Sequence, residues 1–126
     1  VDRSRGLGDV YKRQCLDRWF TPDFQASAAA QRVAAIIRGN TPKGYRGGVD
    51  AMTAFNVTER LAEIRQPTLV MPGALDQGTP VSCSETIAAC IPDARLEVIA
   101  DARHIAIVEQ PEACNRHLLD HLNRYA

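Results

Sequence analysis

No stretch of these 126 residues is apolar for long enough to cross a bilayer. The longest run, "PTLVMPGAL", is less than half of what a spanning helix needs. Charge of one sign is also lacking: 15 Lys and Arg stand against 15 Asp and Glu, for a formal net charge of zero. That balance removes the basic footprint that nucleic acid or an anionic membrane surface would require. No charged n-region and apolar h-region mark a secretory signal peptide. Four cysteines (Cys15, Cys83, Cys90, Cys114) form no CxxC pair. Cys83 and Cys90 lie two turns apart along one helix face, too far apart axially for a bridge. Buried or half-buried reduced thiols and a cytoplasmic setting are therefore expected. His117 and His121, at i and i+4 in "CNRHLLDH", lack an acidic or thiolate third ligand of established geometry. They read as two histidines near a helix C-terminus rather than a metal site. No metal or organic cofactor is expected.

What remains is a chain with 45% hydrophobic residues, enough for one small domain or for part of a larger one. It opens on Val1 rather than Met, which suggests a missing beginning. "SRGLGDVYKRQ", from Ser4 to Gln14, shows neither a period of 2 nor one of 3.6 and reads as a basic tail. The stretch also resembles the in-frame translation of a transposon-based sequencing-library adapter. Its ending "DVYKRQ" corresponds to GAT GTG TAT AAG AGA CAG. Residues 1–14 are accordingly expected to be non-native, with native sequence from Cys15.

Beyond the tail the chain has two halves. "FQASAAAQRVAAIIRG" is an alanine-rich helix with Val33, Ile36 and Ile37 on one side, ended by Gly39. "TPKGYRGGVDAMTAF" opens on a Thr-Pro turn and continues as a looser helix around Val49 to Phe55. "NVTERLAEI" carries a capping signature, Asn56 with Glu59. From "QPTLVMPG" the character changes. This short apolar run, introduced by Pro67 and stopped by Pro72-Gly73, reads as a buried parallel strand. A loop, "ALDQGTP", precedes a helix over about residues 81–90. "ARLEVIA" is a second strand, "DARHIAIVEQP" a second loop, and residues 112–122 a closing helix. The order is βαβα, so the two strands are expected to be parallel neighbours with right-handed crossovers. Two strands alone make no stable doubly wound sheet, which again points to missing strands.

In open α/β sheets, sites form beyond the carboxyl ends of the strands. Asp76 follows the first strand and His104 the second at a similar distance, so a carboxylate and an imidazole can meet at one edge. That pair is the orienter and base of a nucleophilic triad. The alternative is that Asp76 is only a turn former in a Gly/Pro loop, with His104 incidental.

The stretch "PTLVMPGALDQGTPVSCSETIAACIPDARLEVIADARHIAIVEQPEACNRHLLDHL" resembles the C-terminal part of an α/β-hydrolase. Within that superfamily "DRWFTPDF" and "TPKGYRGG" resemble the helical cap of the 3-oxoadipate enol-lactonases. The resemblance implies an α/β fold comprising a cap remnant over residues 15–63 and the last βαβα of the core over residues 64–126. It implies Asp76 as triad acid and His104 as triad base. It places Arg18 and Trp19 near the acyl pocket, where a guanidinium suits a substrate carboxylate. The implied partner is a small lactone or ester. Gln77, Arg103 and Ile107 depart from the residues usual at their positions, which bears on substrate identity. The family's G-x-S-x-G nucleophile elbow does not occur in this sequence. The chain by itself is therefore expected to be inactive. Rival expectations are another hydrolase branch (esterase, C–C hydrolase, dehalogenase- or haloperoxidase-like) and a non-catalytic binding protein on the same fold.

Overall fold

The computed structural model describes residues 13–126. The expected tail lies outside the described residues as far as Lys12; Arg13 and Gln14 fall in the first helix, α1, helical over residues 13–19. A turn-rich segment with buried Phe20 follows, its ring 5.4 Å from that of Phe24.

Helix α2 spans Ala28–Gly39, and its N-cap Ser27 accepts a hydrogen bond from the Ala30 N–H at 3.0 Å. Its buried stripe is Ala30, Ala34 and Ile37, spaced i, i+4, i+7. The expected face of Val33, Ile36 and Ile37 is thus rotated, and Ile36 points outward at 69% exposure. Ile37 stays on the buried face, and Ala30 and Ala34 join it in place of Val33 and Ile36. Helix α3 spans Pro42–Ala54, several residues longer than its apolar pattern indicates. Asn56 caps no α-helix. Its side chain accepts from the Thr58 N–H, two residues on, and a 3-10 helix runs over Thr58–Glu63 with no side-chain cap.

Strand β1 (Thr68–Val70) pairs in parallel with β2 (Ala94–Leu96), Leu69 lying opposite Arg95. Helix α4 (Val81–Cys90) makes the crossover between them. After β2 come the four-residue helix α5 (Ala106–Glu109) and the closing helix α6 (Pro111–Tyr125). The βαβα order and the parallel pairing match the pattern in the sequence. The ladder stops after three residues because Pro72 has no N–H to donate. The two chains nevertheless stay side by side. The Pro72 carbonyl accepts from Ile99 at 2.8 Å, and Gly73 bridges Ile99.

Beneath the loops that follow the strands lies a small core of Ile99, Ala102, Ala106 and Cys114, with Met71 and Ala113 against it. Full burial of Ile99 contributes about 2 kcal/mol and fixes the root of the second loop. All four cysteines are free thiols; Cys15 and Cys114 are buried and Cys90 half-buried, but Cys83, near the start of α4, is exposed against expectation. Among the described residues no helix is long and apolar enough to cross a membrane.

Candidate active site

The loop after β1 approaches the loop after β2 through backbone hydrogen bonds. Ala74 N–H donates to the Ile99 carbonyl at 2.8 Å and Leu75 N–H to the Ala102 carbonyl at 2.9 Å. Asp101, at φ 53°, turns the second loop sharply; Asp is among the few side chains that tolerate this left-handed region. These constraints bring Asp76 and His104 together: Asp76 Oδ2 lies 2.8 Å from His104 Nδ1.

The two carboxylate oxygens of Asp76 have different tasks. Oδ1 accepts from the backbone N–H of Gly78 at 2.8 Å and of Thr79 at 3.0 Å, which makes the turn. Oδ2 accepts from the Thr79 hydroxyl at 2.6 Å and faces the imidazole. The turn-former and dyad readings of Asp76 therefore hold together, one on each oxygen. Burial favours the neutral acid. It is outweighed by hydrogen bonds from the Thr79 hydroxyl, His104 and the Thr79 and Gly78 amides, which hold the carboxyl at about 2 instead of 3.8.

An ionised carboxylate only accepts, so Nδ1 carries the proton. Its N–H is shared with Thr79 Oγ1 at 3.2 Å. The neutral ring then presents a lone pair at Nε2. Asp76 is buried, whereas the His104 side chain is 43% exposed, so the base is accessible while its orienter is not.

Trp19 from the end of α1 stacks on His104, with ring centroids 6.3 Å apart and planes inclined by 29°. Arg18, next to it, is exposed and takes no part in the dyad. Of the four residues singled out in the sequence, the structure thus brings Asp76, His104 and Trp19 together and leaves Arg18 outside the cluster. Thr79 and Glu109 were missed. Thr79 had a usable signal, a hydroxyl three residues after a turn Asp. Glu109 had none in its local pattern. His117 lies 3.5 Å from Glu97 and His121 packs on Tyr125, and among the described residues no group of His, Cys, Asp or Glu is placed to hold a metal.

Thr79→Val keeps the backbone amide and removes the hydroxyl. We expect a loss of about 1.5 kcal/mol, the usual contribution of a hydrogen bond to a charged group. A rise of the Asp76 carboxyl towards 3.8 should accompany it. A urea midpoint checks the first and carbon NMR of the carboxyl through an acid titration the second, and an unmoved titration midpoint counts against the assignment.

A parallel sheet with acid and histidine on successive post-strand loops is the architecture of the α/β-hydrolases, and the chain has that fold. No family model matches the chain. It is 31% identical over 115 residues to 3-oxoadipate enol-lactonase 2 of Acinetobacter baylyi, an alignment of 90% of this chain and 42% of that protein. A hydrolase from Pseudomonas aeruginosa PA01 superposes with a TM-score of 0.83 at 33% identity, covering 90% of this chain and 43% of that one. The enol-lactonase from Burkholderia xenovorans LB400 superposes with a TM-score of 0.78 at 27% identity, over 98% of this chain and 46% of that one. The chain spans less than half the length of these relatives.

Proposed function

We propose that these residues are the acid–base part of a serine hydrolase that opens a lactone or ester, with 3-oxoadipate enol-lactone as the substrate. The observation that carries the reading is the 2.8 Å contact between a buried, ionised Asp76 and the Nδ1 side of an accessible His104. The 31% identity to an enol-lactonase supports the substrate. The nucleophile and the oxyanion donors come from sequence outside these 126 residues, and residues 15–63 contribute to the cap.

In the proposed reaction His104 Nε2 takes the proton of a serine hydroxyl as its oxygen attacks the carbonyl. The imidazolium, steadied by Asp76, passes that proton to the departing enolate or alkoxide oxygen, leaving an acyl-serine. His104 next deprotonates water for the second attack and returns the proton to serine. No metal or organic cofactor enters. Arg18 is assigned to the substrate carboxylate and Trp19 to the wall of the acyl pocket. The chain alone does not turn over, because it holds neither nucleophile nor oxyanion donors.

The test compares this chain with the full product of its gene, assayed on the enol-lactone and on simple esters. We expect hydrolysis by the longer protein only, and its loss in the longer protein carrying His104→Ala, because both acylation and deacylation need the base. Equal rates for wild type and His104→Ala would overturn the reading. Full activity of the 126 residues would overturn the division of labour.

A further inference from the structure

Glu109 is the other carboxylate buried near the dyad, at 5% exposure. Its Oε1 accepts from the Thr21 backbone N–H at 2.7 Å and from the Thr21 hydroxyl. Its Oε2 accepts from the Arg103 N–H at 2.8 Å. Three donors from segments more than 80 residues apart in sequence thus converge on one side chain. Thr21 is two residues after Trp19, and Arg103 is one residue before His104. Two further bonds link the same segments: Ile105 N–H donates to the Trp19 carbonyl at 3.3 Å, and the Arg103 guanidinium donates to the Asp17 carbonyl.

We infer that Glu109 is a positioning residue: by clamping Thr21 and Arg103 it sets the indole of Trp19 against the imidazole of His104. The consequence for the base is orientational. Asp76 fixes one edge of the ring through Nδ1 but leaves rotation about that hydrogen bond available. An indole against one face removes that freedom and holds Nε2 in one direction. Only a group with two acceptor oxygens can serve both segments, because every partner is a donor. Glu109→Gln would aim an amide N–H₂ at either the Thr21 or the Arg103 donors and lose that side.

The inference rests on His104 being the base proposed above, but its test does not use hydrolysis. Trp19 is the sole tryptophan, so its emission reports this contact alone. An imidazolium stacked beside an indole, here with centroids 6.3 Å apart, quenches its fluorescence, and the pH titration of emission should therefore show a step as His104 gains its proton. The other charged groups on the segments that carry the pair are Asp76, Glu109 and Arg103, with Arg18 exposed next to Trp19 in sequence. His104→Gln separates them, since it should abolish the step. In Glu109→Gln we expect the step amplitude to fall at least about twofold, because ring contacts of this kind fade beyond 7 Å. Glu109→Asp, which keeps both oxygens on a shorter arm, should recover part of it.

Circular dichroism and the urea midpoint show whether each variant is folded. If Glu109→Gln does not fold, Thr21→Val removes only the hydroxyl donor and should still reduce the amplitude. A folded Glu109→Gln with the full step overturns the inference, as does an undiminished step in Thr21→Val or no step in the wild type. If the step behaves as expected and the full gene product hydrolyses no ester, the positioning role stands and the functional reading fails. Hydrolysis with an unchanged step gives the reverse.

Discussion

Gly73→Ala is expected to pull the two loops apart and to destabilise the chain by roughly 3 kcal/mol, the upper part of the usual range for overpacking. A Cβ at this position would lie 2.1 Å from the Arg103 carbonyl oxygen and 2.5 Å from that of Ala102. Both obstacles are backbone, so no rotamer change relieves the clash. The Ala102 oxygen is also the acceptor of the Leu75 N–H, and Arg103 is held from its other side by Glu109. Gly73 has no positive φ, so alanine is excluded by space and not by conformation. The gain from restricting the unfolded chain, about 0.4–1 kcal/mol, is too small to offset the overlap. Gly39→Ala is the matched control, because nothing stands within 4 Å of its added methyl. It should gain a few tenths of a kcal/mol, roughly the conformational term alone. Urea midpoints at constant m-value measure both. A Gly73→Ala midpoint equal to wild type would mean that the loops are not packed as described.

The residues that sequence reasoning located are those whose signal is local. The strand at 68–70 is announced by an apolar run between prolines, and α4 by a helical stretch that starts after Pro80. Asp76 and His104 were legible because the βαβα order places the ends of both strands at one edge. Gly73 and Glu109 were not, because each is defined by a partner across the fold. Gly73 looks like a strand stop until Arg103 lies against it, and Glu109 looks like an exposed helix residue until Thr21 arrives 88 positions away. The same limit explains the rotated face of α2. The pattern there offered Val33 and Ile36 beside Ile37, but Ala30 and Ala34 are the residues buried with it. Trp19 was placed near the site by resemblance, and its stacking on His104 needed the turn at Thr21, which no periodicity encodes.

In the longer hydrolase proposed above, Asp76→Asn is the substitution with the largest expected effect on turnover, about 10⁴-fold in kcat by analogy with the same change in other triads. The reason can be followed atom by atom. The Gly78 and Thr79 amides donate to Oδ1, so the asparagine carbonyl oxygen must occupy that position. Its N–H₂ then faces His104 Nδ1, where the carboxylate oxygen stood. A donor there forces Nδ1 to accept and moves the ring proton to Nε2, and a ring protonated at Nε2 cannot take a proton from serine. The fold should survive, because both turn hydrogen bonds persist. Stability against pH supplies a second reading, independent of any substrate. The Asp76 carboxyl is depressed from 3.8 to about 2, so its contribution is complete above pH 3.8 and is lost as pH falls towards 2. The loss across that window is about 2 kcal/mol at 1.36 kcal/mol per unit. Asp76→Asn should start lower by a similar amount and show no loss from this position between pH 4 and 2. Urea melts at pH 6, 4, 3 and 2 on both proteins decide the matter. Parallel acid dependence in the two would place the stabilising charge elsewhere and leave Asp76 a turn residue beside a histidine.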